Sequence, residues 1–389
     1  MPPKAFLLAS LSGRVLAKAA ARAGRPAVGM DAFADRDTQG LAQGWARVPL
    51  GPGWRFDGAS ALEAAERLCP ADGCLGLVYG SGFESQPDLL EALARQRPLL
   101  GNAPEVLKTL ASPVEFAGLL DTLGIPHPET ATCRPPEPEG WLRKRAGSCG
   151  GSHVDLAEAT RDDDPDHYFQ RRVQGQEWSL LFLANGTDVR PVGFNRPLLR
   201  PAEAPGPWTY AGAVAHAHGP EQVAGDVLAA ARALTLKLGL KGLNGLDFMA
   251  THGGWTLLEL NPRPTATLEL WDAAPLPPLF DLHVQACHGR LPVRLPVPAV
   301  SRAAGVVFAP RALTIHAAFP WPAWCADIPG VGQTLAQGDP VCTVHASGAD
   351  PAAAEAATLS RRHEILHRLA GYCPAPVSHP TPAPAEACL

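Results

Sequence analysis

The chain has 389 residues, enough for two or three domains and a sizeable core. Its 46% hydrophobic and 18% charged residues, with 38 Gly and 41 Pro, describe a loop-rich globular protein and exclude wholesale disorder. Thirty-three Lys and Arg against 38 Asp and Glu leave a formal charge of −5, with no basic excess to follow a phosphate backbone, so no nucleic-acid partner is expected.

In chain order, Ala5 to Ser10 is a short apolar run followed by Ser12-Gly13, a helical pattern over 14–23 and a second apolar run over 26–30 that ends in Asp31. This predicts a β-α-β opening. A helix over 60–68, a strand over 75–79, a Gly80-Ser81-Gly82 turn and a helix over 87–95 continue the alternation, which implies a parallel sheet. A helix over 114–123 breaks at Gly124-Ile125-Pro126, and the Pro-rich stretch 134–140 reads as a loop or boundary. From Trp141 to about Leu270, strands divided by glycine turns flank one helix over 221–238, an α+β pattern. A helix follows Pro275 to Pro278 and runs to His288. Beyond Arg302, short strands at 305–309 and 341–345 precede a terminal helix over 352–369, and the Pro/Ala-rich tail 374–384 is expected to be extended or disordered.

Nine cysteines without a CxxC pair suggest neither a disulfide framework nor a zinc ribbon, and fit a reducing cytoplasm. Arg14 and Lys18 interrupt the apolar N-terminal run, so it reads as a strand and its helix and not as a signal peptide. No run approaches the ~18 apolar residues needed to cross a bilayer, and no membrane partner is expected.

Three segments carry chemistry. In Leu257-Leu258-Glu259-Leu260-Asn261-Pro262-Arg263, alternate residues of a strand share a face, which aligns Glu259, Asn261 and Arg263; Asp247 follows the same logic on a neighbouring strand. Two carboxylates and an amide oxygen make a hard-oxygen site suited to Mg²⁺; the alternative is a solvated, charged strand face. In Trp141-Leu142-Arg143-Lys144-Arg145, a lysine leaves a strand into the Gly/Ser loop that holds Gly150 and Gly151, where backbone N–H groups can close over phosphate. No Walker A loop or complete GxGxxG occurs. In Tyr168 to Glu177, a hinge strand at Gln170, Arg171, Arg172 and Val173 can offer adenine its backbone, and Glu177 can accept from ribose hydroxyls; the bland alternative is an ordinary hairpin.

In this order and with these gaps, the segments resemble the ATP-grasp superfamily of carboxylate-amine and carboxylate-thiol ligases over about residues 100–275. The resemblance implies an ATP-grasp fold, α/β and α+β. A Rossmann-like pre-ATP-grasp domain would span 1–103, the ATP-grasp domain 104–290, a small β-rich C-terminal subdomain 300–372 and a Pro-rich tail 373–389. In the pattern shared with D-alanine:D-alanine ligases, Lys144 matches the phosphate-binding lysine, Gln170 to Val173 the adenine hinge and Glu177 the ribose carboxylate. Asp247, Glu259 and Asn261 match the magnesium ligands. Arg263 is similar in place to an arginine of biotin carboxylase, which makes Arg263 and Lys144 the implied catalytic residues. ATP and Mg²⁺ are the implied cofactors, and a small-molecule carboxylate and an amine the implied substrates; a homodimer stays open beside a monomer. The chain looks most like the predicted ATP-dependent carboligase branch, some members of which accompany one-carbon cofactor genes of methylotrophs. This implies a carboxylate-amine ligase working through an acyl phosphate, with a place in methanopterin- or methylofuran-type cofactor synthesis.

Two departures stand out. Ser112-Pro113-Val114 lacks the family's lysine at the start of that helix, and Asn244-Gly245-Leu246 stands where the ligases tend to have arginine. Arg143, Arg145, Arg171 and Arg172 are the substitutes the sequence offers, and a nucleotide-binding protein without turnover is the alternative function. His363-Glu364-Ile365-Leu366-His367 is a literal HExxH, yet Ala370 and Cys373 stand where an extended zinc motif wants Gly and His. It reads as the solvated face of a terminal helix, with a zinc metalloprotease as the lesser alternative. His216-Ala217-His218 and His283 with Cys287 and His288 read as surface or core histidines more readily than as ligands. Arg14, at the end of the first strand, is either an anchor for an acidic substrate or a solvated helix-start arginine.

Overall fold

The computed structural model describes residues 4–148, 150, 151, 153–159 and 166–372. The expected opening forms: strands Ala5–Ala9, Ala27–Asp31 and Cys74–Tyr79, joined by the edge strand Gly44–Arg47, make a four-stranded parallel sheet. The first two strands are buried at every position, as apolar runs covered on both faces should be. Helices Arg14–Arg22, Gly58–Leu68 and Pro87–Ala94 alternate with these strands.

The helix Pro113–Leu123 stops at Gly124, whose φ of +64° is the left-handed conformation a side chain resists, and Ile125 N–H closes back on the Leu120 carbonyl at 2.9 Å. The middle of the chain then builds two antiparallel sheets. The smaller runs Thr130–Ala131, His167–Arg171, Trp141–Arg145, Val154–Leu156. The larger has eight strands in the order Gly254–Asn261, Lys241–Thr251, Gln176–Asn185, Val189–Pro197, Gly212–His216, Ser301–Phe308, Pro340–Gly348 and Cys325–Ala326. Helix Ala224–Leu238 packs Val227, Ala230 and Leu234 against Leu180, Phe182 and Leu246 on one face. Helix Leu279–Cys287 packs Phe280 and Ala286 against Leu181, Leu183 and Leu243 on the other. Period-two alternation along Gln176–Asn185 serves both layers.

The stretch beyond Arg302 is hydrogen-bonded into this same sheet through Ser301–Phe308 and Pro340–Gly348, so no break in the sheet separates it from the middle of the chain. Its closing helix, Pro351–Tyr372, buries Ile365 and Leu369 against these strands. The tail from 373 lies outside the described residues. Among the described residues no helix is long and apolar enough to cross a membrane.

Candidate active site

The two sheets face a cavity of about 1150 Å³. Its small-sheet wall carries Leu142, Lys144, Tyr168 and Gln170, because register pairs Lys144 with Tyr168 and Leu142 with Gln170. Lys144 Nζ donates to Gln170 Oε1 at 2.6 Å. Burial disfavours the ammonium and lowers its pKa, while Glu259, Asp247 and Glu177 act to keep it charged. The loop after Lys144 is made of glycines for a steric reason. Gly147, Gly150 and Gly151 all have positive φ, and a Cβ on Gly151 would sit 1.8 Å from the Trp208 carbonyl oxygen. Tyr210 N–H donates to the Gly150 carbonyl at 3.0 Å, which docks the loop on the segment before Gly212–His216. Cys149 and Ser152 of the same loop lie outside the described residues.

Gln170 through Glu177 line the cavity as the hinge between the sheets. The Arg171 and Arg172 N–H groups are taken by the Glu129 and Gly140 carbonyls at 2.8 and 2.9 Å, so a backbone donor for a base has to come from Val173 onward. The Arg171 guanidinium lies over the Trp141 ring, 5.5 Å from its centroid. Glu177 faces Arg200 at 3.6 Å.

On the large sheet, Asp247 pairs with Glu259 and Gly245 with Asn261, and the register slips just after Asp247. Both carboxyls line the cavity, Asp247 half-buried and Glu259 open to it. Enclosure by the cavity walls first, then repulsion from Glu259 and Glu177, pushes Asp247 up to about 8; the same enclosure raises Glu259, against the pull of Lys144 and Arg263. Such a pair is unfavourable by itself and becomes favourable around a cation. Asn261 Nδ2 donates to Asp247 Oδ2 at 2.9 Å, and its Oδ1 accepts from Arg263 Nη2 at 2.9 Å, leaving one lone pair on Oδ1. Arg263 Nε is ion-paired with Glu84. Glu84 carries no motif and follows the Gly80-Ser81-Gly82 turn; sequence reasoning passed over it.

Residues 112–267 match the ATP-grasp domain family. That segment carries an ATP-grasp domain. The whole fold is similar to biotin carboxylase from Campylobacter jejuni, solved as an ATP-analogue complex, with TM-score 0.69 and 12% identity over 91% of this chain and 90% of that one. It is also similar to the biotin carboxylase domain of a single-chain bacterial carboxylase (TM-score 0.65, 16% identity, 89% and 85% covered). N5-carboxyaminoimidazole synthase from Aspergillus clavatus, in complex with ADP and 5-aminoimidazole ribonucleotide, gives TM-score 0.65 and 13% identity over 94% and 99% of the two chains. No curated protein matches the chain by sequence.

The ATP-grasp match spans Lys144, the hinge, both carboxylates and Arg263, and leaves Glu84 and Arg14 outside it. The two departures in the motifs have structural counterparts. Pro113 and Phe116, both apolar, line the cavity where the family's helix offers lysine. Asn244 is buried and accepts from Asn102 Nδ2 at 2.7 Å, so this position ties down the segment that follows the parallel sheet and carries no charge. Of the proposed substitutes, Arg145, Arg171 and Arg172 line the cavity and Arg143 does not. Arg196, ion-paired with Glu355, and Arg200 line it too and were not singled out by the sequence.

The remaining sequence candidates lie elsewhere. Arg14 is neither a cavity residue nor solvated: Nη1 and Nη2 donate to Glu269 at 2.8 and 3.0 Å and Nε to Asp327 at 2.6 Å. His363, Glu364 and His367 are exposed on the closing helix, and Glu364 pairs with Arg368. Among the described residues no three His, Cys, Asp or Glu side chains converge as a metal site, so the HExxH string has no third ligand there. His283 is a core histidine: Nδ1 accepts from Leu243 N–H at 2.9 Å and Nε2 donates to the Leu100 carbonyl at 3.0 Å. His216 is half-buried against Trp178, and His218 is exposed.

Proposed function

We propose that this protein is an ATP-dependent carboxylate-amine ligase. The observation that carries the reading is the register-paired Asp247 and Glu259 facing Lys144 across one cavity, two mutually repelling carboxylates that a magnesium-bound nucleotide would complete. Asp247, Glu259 and the free lone pair of Asn261 would hold Mg²⁺, which prefers oxygen ligands and keeps positions for phosphate oxygens and water. Lys144 with Gly150 and Gly151 would hold phosphates, Gln170 to Val173 the base and Glu177 the ribose. In this reading ATP phosphorylates the substrate carboxylate and an amine displaces phosphate from the acyl phosphate, so the protein's work is positioning and neutralising charge. The proposed division is a front domain at 1–103, the ATP-grasp domain at 104–290 and the C-terminal segment at 300–372. A place in one-carbon cofactor synthesis is part of the same proposal and rests on the resemblance to the carboligase branch; homodimer formation is proposed beside it.

The second reading is a nucleotide-binding protein without turnover, favoured by Pro113 and Asn244 standing where the family has cations. Titration of ATP with and without Mg²⁺, followed by phosphate release with carboxylate and amine panels, separates the two. Lys144→Ala is expected to weaken ATP binding or turnover at least ~10-fold, about 1.4 kcal/mol. Kinetics unchanged with true substrates would remove Lys144 from the site.

Glu259→Gln and Asp247→Asn are expected to lower apparent Mg²⁺ affinity at least ~10-fold while the ion-free variants melt at or above the parent temperature, since each relieves repulsion between the two paired carboxyls. A variant that unfolds would mark its carboxylate as structural.

A further inference from the structure

Cys69 ends the helix Gly58–Leu68 and Cys74 opens the strand Cys74–Tyr79, with Pro70 and a single helical turn at Ala71–Gly73 between them. The β-sheet brings the two sulfurs to one place. Cys69 Sγ lies 3.5 Å from the Ala5 carbonyl, and Ala5 is the register partner of Cys74. Between Ala5 and Phe6 the register slips, pairing Phe6 with Gly76, so Leu75 bulges into solvent and Cys74 beside it is only half-buried. Cys69 is buried. Arg97 anchors the spot, donating from Nε to the Cys69 carbonyl at 2.9 Å and pairing with Glu66.

We propose that Cys74 and Cys69 form a peroxide-sensitive dithiol, with Cys74 the attacking thiol and Cys69 the resolving one. Contact with the Cys69 thiol, with help from the Gly76 N–H and Arg97, brings Cys74 down to about 7, while the same contact and burial raise Cys69. In the first step the Cys74 thiolate attacks a hydroperoxide oxygen, the O–O bond breaks, and the leaving oxygen departs with a proton, as water when the oxidant is hydrogen peroxide. In the second, Cys69 sulfur attacks the Cys74 sulfenic acid, the S–O bond breaks and water leaves with the Cys69 proton. The two thiols lose two electrons and the peroxide gains them. Cys325 and Cys342 are also neighbours, but Cys342 is deeply buried and burial holds its thiol well up. The cystine would form at the start of a strand whose other end, Tyr79, lies ~16 Å away at 3.3 Å per residue.

The test uses the full-length protein titrated with hydrogen peroxide, then alkylated, digested and mapped by mass spectrometry. The expected first product is a Cys69–Cys74 crosslink reversed by dithiothreitol, with Cys74 alkylated in the reduced protein at least ~10-fold faster than Cys342 at pH 7. Cys69→Ser is expected to replace the crosslink with a Cys74 sulfenic acid trapped by a 1,3-dione. If that variant fails to fold, Cys74→Ser must abolish the crosslink and leave Cys69 unoxidised. Oxidation of exposed Cys133 ahead of Cys74, or a Cys74 sulfenic acid that persists unresolved in the parent, would overturn the proposal.

Discussion

Replacing Arg263 by lysine is expected to leave Mg²⁺-ATP binding within about threefold of the parent and to reduce ligation ~10²-fold or more. The guanidinium is a fork with its tines already aimed: Nε meets Glu84, and Nη2 meets the oxygen of Asn261, which in turn holds Asp247. A lysine keeps one positive charge near Glu84, and Asn261 stays held by its own bond to Asp247, but the planar fork that could grip a transferring phosphoryl group or a substrate carboxylate is gone. The backbone here is pinned from the parallel-sheet side, since Tyr79 Oη and Asn102 Nδ2 both donate to the Pro262 carbonyl at 3.1 and 2.8 Å. The variant should therefore fold. Measuring ATP affinity and kcat on the same preparation decides the matter: lower thermostability with kcat intact would make Arg263 a strap to Glu84 with no part in the chemistry.

Arg14→Met is expected to destabilise the protein by about 3–5 kcal/mol without changing ATP affinity. It would leave the Glu269 carboxylate, 5% exposed, with His345 as its remaining partner, at 2.6 Å. Burial works against both charges, yet Asp327 and Glu269 hold Arg14 well above its ordinary value, and Arg14 and His345 hold Glu269 well below its own. Because the Glu269 carboxyl titrates lower folded than unfolded, its contribution is complete above the ordinary carboxylate range and disappears as pH falls through the folded value. The variant should accordingly lose part of the parent's acid dependence. Arg14→Met with Glu269→Leu should recover much of the stability, as removal of both buried partners does. Denaturant unfolding across pH measures all of this. Unchanged stability with ligation abolished would return Arg14 to the substrate-anchor role that its place after the first strand suggests.

The sequence by itself determined whatever depends on local period. The apolar runs and helical stretches of the first hundred residues specify a parallel sheet, and alternation along 257–263 aligns Glu259 and Asn261 before any fold is known. Lys144 was legible for a similar reason, since a cation opening a glycine loop needs only its neighbours to be recognised. Tertiary structure decided the partners. Arg14 reads identically as solvated, substrate-binding or buried until Glu269 and Asp327, more than 250 residues away, are packed beside it. Glu84 is one acid in a loop until the fold brings it to Arg263. The strands after Ser301 look like a small unit of their own because strand propensity is local, whereas membership of a sheet is fixed by which backbone edge is left open, here that of Gly212–His216. Period two and period 3.6 are properties of neighbouring residues; ion pairs and sheet edges join residues that only the folded chain makes neighbours.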